Sequence, residues 1–285
     1  MDIGVCLPTT VPGADGGQLI EFARRADRLG FHSLTVVDRV VYDNYDPIVT
    51  LSAAAAVTER IKLTTAILLA ASRPSTVELA KQLASLDRLS GGRLVVGVSA
   101  GMREDDYAAT GTDHASRGGR LDSMIEELRA VWKGEGPVPG VGPRPVNGDI
   151  PIWVGGHSPA GLRRAARYGI GWISPGGPPH KYPELVNRVK ELWAEEKREG
   201  SPRMGANCYV ALGPGGKEAA REHMLSYYSY MGQMAEHLAK GAITEESMLR
   251  DVVDGYAANG CDELLLLSVT ADPAHLDRIA DVVLR

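Results

Sequence analysis

The chain has 285 residues, 44% hydrophobic and 24% charged, with a formal net charge of −5. That composition suits a soluble globular protein with one large α/β domain or two small ones, and it speaks against a broad nucleic-acid or anionic-membrane surface. No apolar run is long enough to cross a bilayer, MDIGVCLPTT lacks the basic start of a signal peptide, and three cysteines without a CxxC pair suit a reducing cytoplasm.

IGVCLP reads as the first strand, followed by a helix over 19–29 with Phe22, Ala26 and Leu29 on one face and Gly30 as its stop. SLTVV is the second strand and ends at Asp38, a helix rich in Ala and Val fills 47–57, and LTTAILL is the third strand. The segment 73–101 reads as a complete helix and strand. Ser75 and Glu78 stand at capping-box spacing, Leu79, Leu83 and Leu86 make an apolar stripe, and Gly91 and Gly92 close the helix. LVVGV then has the character of a strand buried on both faces.

A polar stretch leads to a helix from about Leu121 to Trp132, and GEGPVPGVGPRPVNGDIP is an ordered loop. PIWVGG is the fifth strand. Ser158 and Pro159 open the next helix as cap and first-turn proline, and Gly169 ends it. WIS is the sixth strand, 182–199 a helix, NCYVAL the seventh strand, 217–258 a long helical region and ELLLL the eighth strand. Asp272 and Pro273 cap a last helix bearing Leu276, Ile279 and Val283. Eight strand–helix units without a dividing linker predict a (β/α)₈ barrel, a single domain over 1–285, near the ~250 residues typical of that fold. A doubly wound sheet would leave the last units as a separate domain.

In such barrels chemistry sits at the C-terminal ends of the strands. Here those ends are mostly small or apolar: Pro8 and Thr9, Asp38 and Arg39, Leu68 and Leu69, Ser99 to Gly101, Gly155 to Ser158, Ser174 to Gly177. No desolvated lysine, carboxylate pair or metal-ligand set stands out, which suits an enzyme whose cofactor supplies the reactivity. Gly155, Gly156, His157 and Ser158 precede a helix N-terminus and read as a phosphate site, the alternative being a capped turn without a ligand. Asp38 and Arg39 read as functional groups or as an ion pair with each other at the mouth. His32, His114, His180 and His223 read as solvated, the cysteines as small buried hydrophobes, and Trp153 and Trp172 as barrel packing. Tyr227, Tyr228, Tyr230, Met231 and Met234 read as an interface or the wall of a substrate cavity.

Four segments in order, FARRADRLGFHSLTVVD, RPSTVELAKQLASLDRLSGGRLVVGVSAG, GMREDDYAATGTDHASRGGRLDSMIEELRAVW and PIWVGGHSPAGLRRAARYGIGWI, resemble the luciferase-like monooxygenases, whose members use reduced FMN or the deazaflavin coenzyme F420. The resemblance covers most of 1–175. It implies a barrel oxidoreductase that oxygenates an organic substrate with FMN or transfers hydride with F420, a homodimer, and, with FMN, a flavin reductase as partner. It implies cofactor contacts from Thr65, Ala66 and Ile67, with Ala66-Ile67 a non-proline cis peptide forming a bulge under the ring. It also implies contacts from Ala100, Gly101, Gly155, Gly156, His157, Ser158, Gly176 and Gly177, and a catalytic role for Asp38 and Arg39. Two departures remove a proton donor or acceptor: Arg39 stands where some members carry His, and Met102 where some carry Glu, leaving Glu104 and Asp105 nearest. Two rival readings are a non-catalytic flavin-binding homologue and an isomerase barrel for a phosphorylated substrate.

Overall fold

The computed structural model describes residues 1–284. Eight parallel strands close into a barrel in sequence order: β1 (Asp2–Cys6), β2 (Ser33–Val36), β3 (Lys62–Leu68), β4 (Leu94–Val98), β5 (Ile152–Gly155), β6 (Gly171–Ser174), β7 (Arg203–Val210) and β8 (Glu263–Ser268). Around them run α1 (Gly16–Leu29), α2 (Pro47–Ala55), α3 (Thr76–Leu89), α4 (Glu104–Thr110), α5 (Arg117–Lys133), α6 (Pro159–Tyr168) and α7 (Tyr182–Glu195). The remaining helices are α8 (Gly216–Tyr227), α9 (Gln233–Lys240), α10 (Glu246–Ala258) and α11 (His275–Val283). The expected (β/α)₈ barrel is therefore the fold, with β8 closing on β1 through Gly4 and Leu265. Among the described residues no helix is long and apolar enough to cross a membrane.

Alternation along the strands builds two cores. Ile3, Val5, Leu34, Leu63, Val96, Ile152 and Leu264 face the helices, where they meet buried side chains such as Phe22, Leu83 and Ile125. Fully burying a residue of this kind contributes about 1.5–3 kcal/mol. The opposite faces point inward, where Ala66, Trp153, Ile173 and Leu265 form a second cluster. Glycines on the same inward faces make room for it: a Cβ on Gly205 would lie 3.1 Å from the Trp153 ring. At the N-terminal end of the barrel, Arg203 donates to Asp2 at 2.6 Å and to Glu263 at 2.8 Å, and Ser33 Oγ donates to Glu263 at 2.5 Å. That cluster ties β7, β8, β1 and β2 together at the end of the fold that serves stability.

Several local expectations need correction. The 75–78 capping box is half made: Ser75 accepts from the Glu78 amide, while the reciprocal box sits at Asp15 and Gln18, which open α1. The polar stretch after β4 contains α4, whose buried face is Asp106 and Tyr107. The seventh strand runs over 203–210, not 207–212, because Met204 and Ala206 pack outward although RMGAN lacks a continuous apolar run. The helical region 217–258 is three helices, interrupted by a 3₁₀ turn over Ser229–Met231 and by Gly232 and Gly241. Asp272 closes a turn by accepting from the Ala274 amide, and α11 starts only at His275 without a side-chain cap. The 182–199 helix ends at Glu195.

Candidate functional site

The floor of the barrel mouth is built at β3. Its register against β4 shifts between Thr65 and Leu68, and the Ala66–Ile67 peptide is cis. The bulge leans on two glycines. A Cβ on Gly97 would lie 2.1 Å from the Thr65 carbonyl oxygen, and a Cβ on Gly155 would lie 2.1 Å from Ile67 Cδ1. Ile67 thus fills the space that any other residue at 155 would occupy, and it stays partly exposed to the mouth while Ala66 and Thr65 are buried. Beside it, β4 ends at Ala100 and Gly101. Ala100 accepts a hydrogen bond from the Tyr107 hydroxyl, and Gly101 has φ 65° with Leu69 against its Cα.

The arc continues over β5 and β6. Gly156 has φ 120° with open space where a Cβ would be, and Gly176 and Gly177 have φ 110° and 135°. Ser158 caps α6 by accepting from the Gly161 amide at 3.1 Å, so its own proton is free to be donated. His157, Ser174, Gly176, Gly177, Lys181 and Tyr182 line a cavity of about 160 Å³, and partial burial lowers the His157 pKa. The expected cofactor residues therefore form one continuous arc from β3 to β6 on the C-terminal face.

Asp38 and Arg39 do not pair with each other, contrary to the ion-pair expectation. Asp38 Oδ2 accepts from the Leu69 amide at 3.0 Å and from Arg73 at 3.2 Å, and Arg73 also reaches Asp46 at 3.1 Å. Burial raises the Asp38 pKa, and the Arg73 cation opposes that rise. Arg39 turns the other way, to Asp106 at 3.0 Å, and Asp106 also accepts from the Val40 and Val41 amides. Of the acids after β4, Glu104 is exposed and Asp105 pairs with Arg103, so the inward-facing carboxylate is Asp106. It shares the buried face of α4 with Tyr107.

The remaining arc, from β7 round to β2, is roofed. The segment of α8, the 3₁₀ turn and α9 leaves β7 and reaches loops after β2 and β4, on the far side of the barrel. Tyr42 Oη lies 2.8 Å from Ser226 Oγ, Tyr230 donates to Met102 Sδ at 3.7 Å, and Arg103 lies 4.2 Å over the Tyr230 ring. Arg39 sits 5.5 Å from the Tyr227 ring and 5.8 Å from those of Tyr42 and Tyr230. Beneath, the Tyr209 and Tyr228 hydroxyls are 2.9 Å apart. His223, expected to be solvated, is buried, stacked on Tyr227, and pushed down to about 4 by burial. The tyrosine cluster thus joins α8 and the 3₁₀ turn to the loops after β2 and β4. Tyr209, Asn207 and Arg73 were not among the sequence candidates, since none has distinctive spacing. Trp153 and Trp172 are buried as expected, and Cys6 and Cys208 have thiols pushed up to about 12 by burial.

Comparison with known proteins gives a consistent set of likenesses. Residues 1–260 match the sequence model of the luciferase-like monooxygenases. The uncharacterized protein Rv0940c of Mycobacterium tuberculosis is 34% identical over 215 residues, 64% of this chain and 73% of the relative. The crystal structure of the monooxygenase RslO1 from Streptomyces bottropensis has a TM-score of 0.84 at 24% identity, covering 100% of this chain and 99% of that one. An F420-dependent secondary alcohol dehydrogenase, in complex with an F420–acetone adduct, has a TM-score of 0.84 at 18% identity, covering 99% and 98%. At these identities the two structures share its fold.

Proposed function

We propose that this chain, which belongs to the luciferase-like monooxygenase family, is an oxidoreductase that holds a reduced flavin-type coenzyme, FMN or F420, on the β3–β6 arc. The observation that carries this reading is the floor at Ile67: an apolar support made by the β3 bulge and seated against Gly97 and Gly155. Among the solved relatives one is named a monooxygenase and another an F420-dependent dehydrogenase, which supports redox chemistry on this arc.

The residues fit such a group. Thr65, Ala66 and Ile67 would underlie the ring, with Ala100 and Gly101 along its edge. Gly156, His157, Ser158, Gly176 and Gly177 would take its phosphate, aided by the α6 N-terminus and Lys181. When bound, reduced FMN would supply two electrons to dioxygen, one oxygen atom passing to the organic substrate and the other leaving as water, whereas F420 would pass a hydride to or from the substrate. Asp38 acts through what it holds: it fixes the Leu69 amide just past the bulge and orients Arg73. Arg39 joins Asp106 to the tyrosine roof and so shields the mouth from water. If the coenzyme is FMN, a separate reductase delivers it reduced.

Parallel anaerobic titrations of the protein with reduced FMN and with reduced F420, followed by quenching of the protein's tryptophan fluorescence, test this reading. Saturable binding of one coenzyme is expected, and oxygen uptake then separates oxygenation from hydride transfer. Absence of saturable binding by both refutes it.

A further inference from the structure

The arc from β7 to β2, opposite the floor, carries a second set of unassigned features. Asn207 on β7 faces the interior, and its Oδ1 makes no hydrogen bond within the chain. The same holds for Thr35 Oγ1 on β2, Thr9 Oγ1 past β1 and His223 Nδ1 in the roof, in residues that are buried. Groups of this kind are costly to leave unmade, so they mark where a ligand's polar atom belongs. Asn207 Oδ1 only accepts, while the Tyr209–Tyr228 pair keeps one hydroxyl proton beyond the one they share. Together they offer one acceptor and one donor, the complement of a single hydroxyl group.

Charge points the same way. Under the roof Asp38 is matched by Arg73, Arg39 by Asp106, and Arg103 by Asp105. An ionised substrate group would shed its hydration there without meeting an unmatched opposite charge. The wall is instead aromatic: Tyr209 and Tyr228 meet edge to face at 6.1 Å, Tyr227 and Tyr228 at 4.9 Å, and His223 stacks on Tyr227 at 5.8 Å. Outside it, Val40, Val41, Met102, Tyr230 and Met234 are exposed around the roof and give it an apolar outer surface.

We infer that the inner face of β7 at Asn207 and Tyr209, beneath the tyrosine roof, is the substrate subsite, and that its substrate is a neutral aromatic compound bearing a hydroxyl group. The inference rests on the function proposed above, with the coenzyme on the opposite arc. The hydroxyl meets Asn207 Oδ1 and the Tyr209–Tyr228 pair, and the ring packs on Tyr228 and Tyr227.

Equilibrium dialysis of the intact protein at pH 7, with and without FMN or F420, tests it with three probes: 2-naphthol, 2-methoxynaphthalene and 2-naphthalenesulfonate. The expected result is saturable binding of 2-naphthol, at least tenfold weaker binding of the methoxy compound, which cannot donate, and weaker binding still of the sulfonate. Tyr228→Ala should weaken 2-naphthol about tenfold while coenzyme titrations are unchanged. Tyr228→Phe, which keeps the ring, should weaken it less and serves where the alanine variant fails to fold. Equal or tighter binding of the sulfonate, no binding of 2-naphthol, or an unchanged affinity in both Tyr228 variants overturns the assignment. Coenzyme binding is read separately, so retained coenzyme with lost naphthol selectivity refutes the substrate class alone, and lost coenzyme binding refutes the reading of function.

Discussion

Gly155 is the sharpest place to perturb the floor. A Cβ there would lie 2.1 Å from Ile67 Cδ1, well inside van der Waals contact, and 3.6 Å from both Ile67 Cγ1 and the Ile173 carbonyl oxygen. Only the terminal methyl of Ile67 therefore collides. Gly155→Ala is expected to cost about 1–3 kcal/mol, as overpacking of a close-packed interior does. Ile67→Val removes the colliding methyl and should cost about 0.5–1.5 kcal/mol alone. Combined, the two should cost less than their sum by at least about 1 kcal/mol, because the valine vacates the space the alanine needs. Guanidinium denaturation of the four proteins measures the cycle, and coenzyme titration of the same four reports the floor. Gly155→Ala should weaken binding, and the double variant should recover part of it. An additive cycle, within about 0.5 kcal/mol, would refute the claim that Gly155 exists to seat Ile67.

Asp106→Asn leaves the Arg39 guanidinium, 6% exposed, without its counter-charge, and should cost about 3–5 kcal/mol in denaturant unfolding; a loss under 1 kcal/mol would mean the tyrosine roof alone sustains that cation. His223 has its pKa lowered from 6.5 to about 4, so between those values the unfolded chain binds more protons and stability falls as pH drops through the window. A gap of about 2.5 pH units at about 1.4 kcal/mol each gives a loss on the order of 3 kcal/mol, and His223→Phe should flatten the Tm profile between pH 6.5 and 4; an unchanged profile contradicts the burial argument.

The barrel could be read from the chain because each strand–helix unit is locally consistent. Apolar runs such as LVVGV, the stop at Gly30 and the Ser158–Pro159 start agree with the final structure. The β4–β6 part of the arc was readable for the same reason, since it consists of strand ends and the glycines that follow them, whereas Thr65, Ala66 and Ile67 came only from the family resemblance. The roof was not. Its tyrosines were read only as an interface or a cavity wall, and its contacts join residues far apart in sequence, such as Tyr42 with Ser226 and Met102 with Tyr230. Charge pairing failed in the same way: adjacency of Asp38 and Arg39 suggested a pair, but consecutive residues past a strand point apart, and each found a partner on another loop. The glycine at 155 was read as a phosphate contact, and its packing against Ile67 became visible only with the closed barrel, where the Ile67 side chain of β3 reaches past Gly97 of β4 to β5.

The central claim is a flavin-type ring on the Ile67 floor beneath the tyrosine roof, and a crystal structure of the protein with whichever coenzyme binds tests it most directly. The account predicts the ring over Ala66 and Ile67, its phosphate at Gly156 to Ser158, and Asn207 and Tyr228 left facing its open side. A ring seated instead in the separate cavity of about 190 Å³ between Gly215, Thr270 and Arg278 would contradict it.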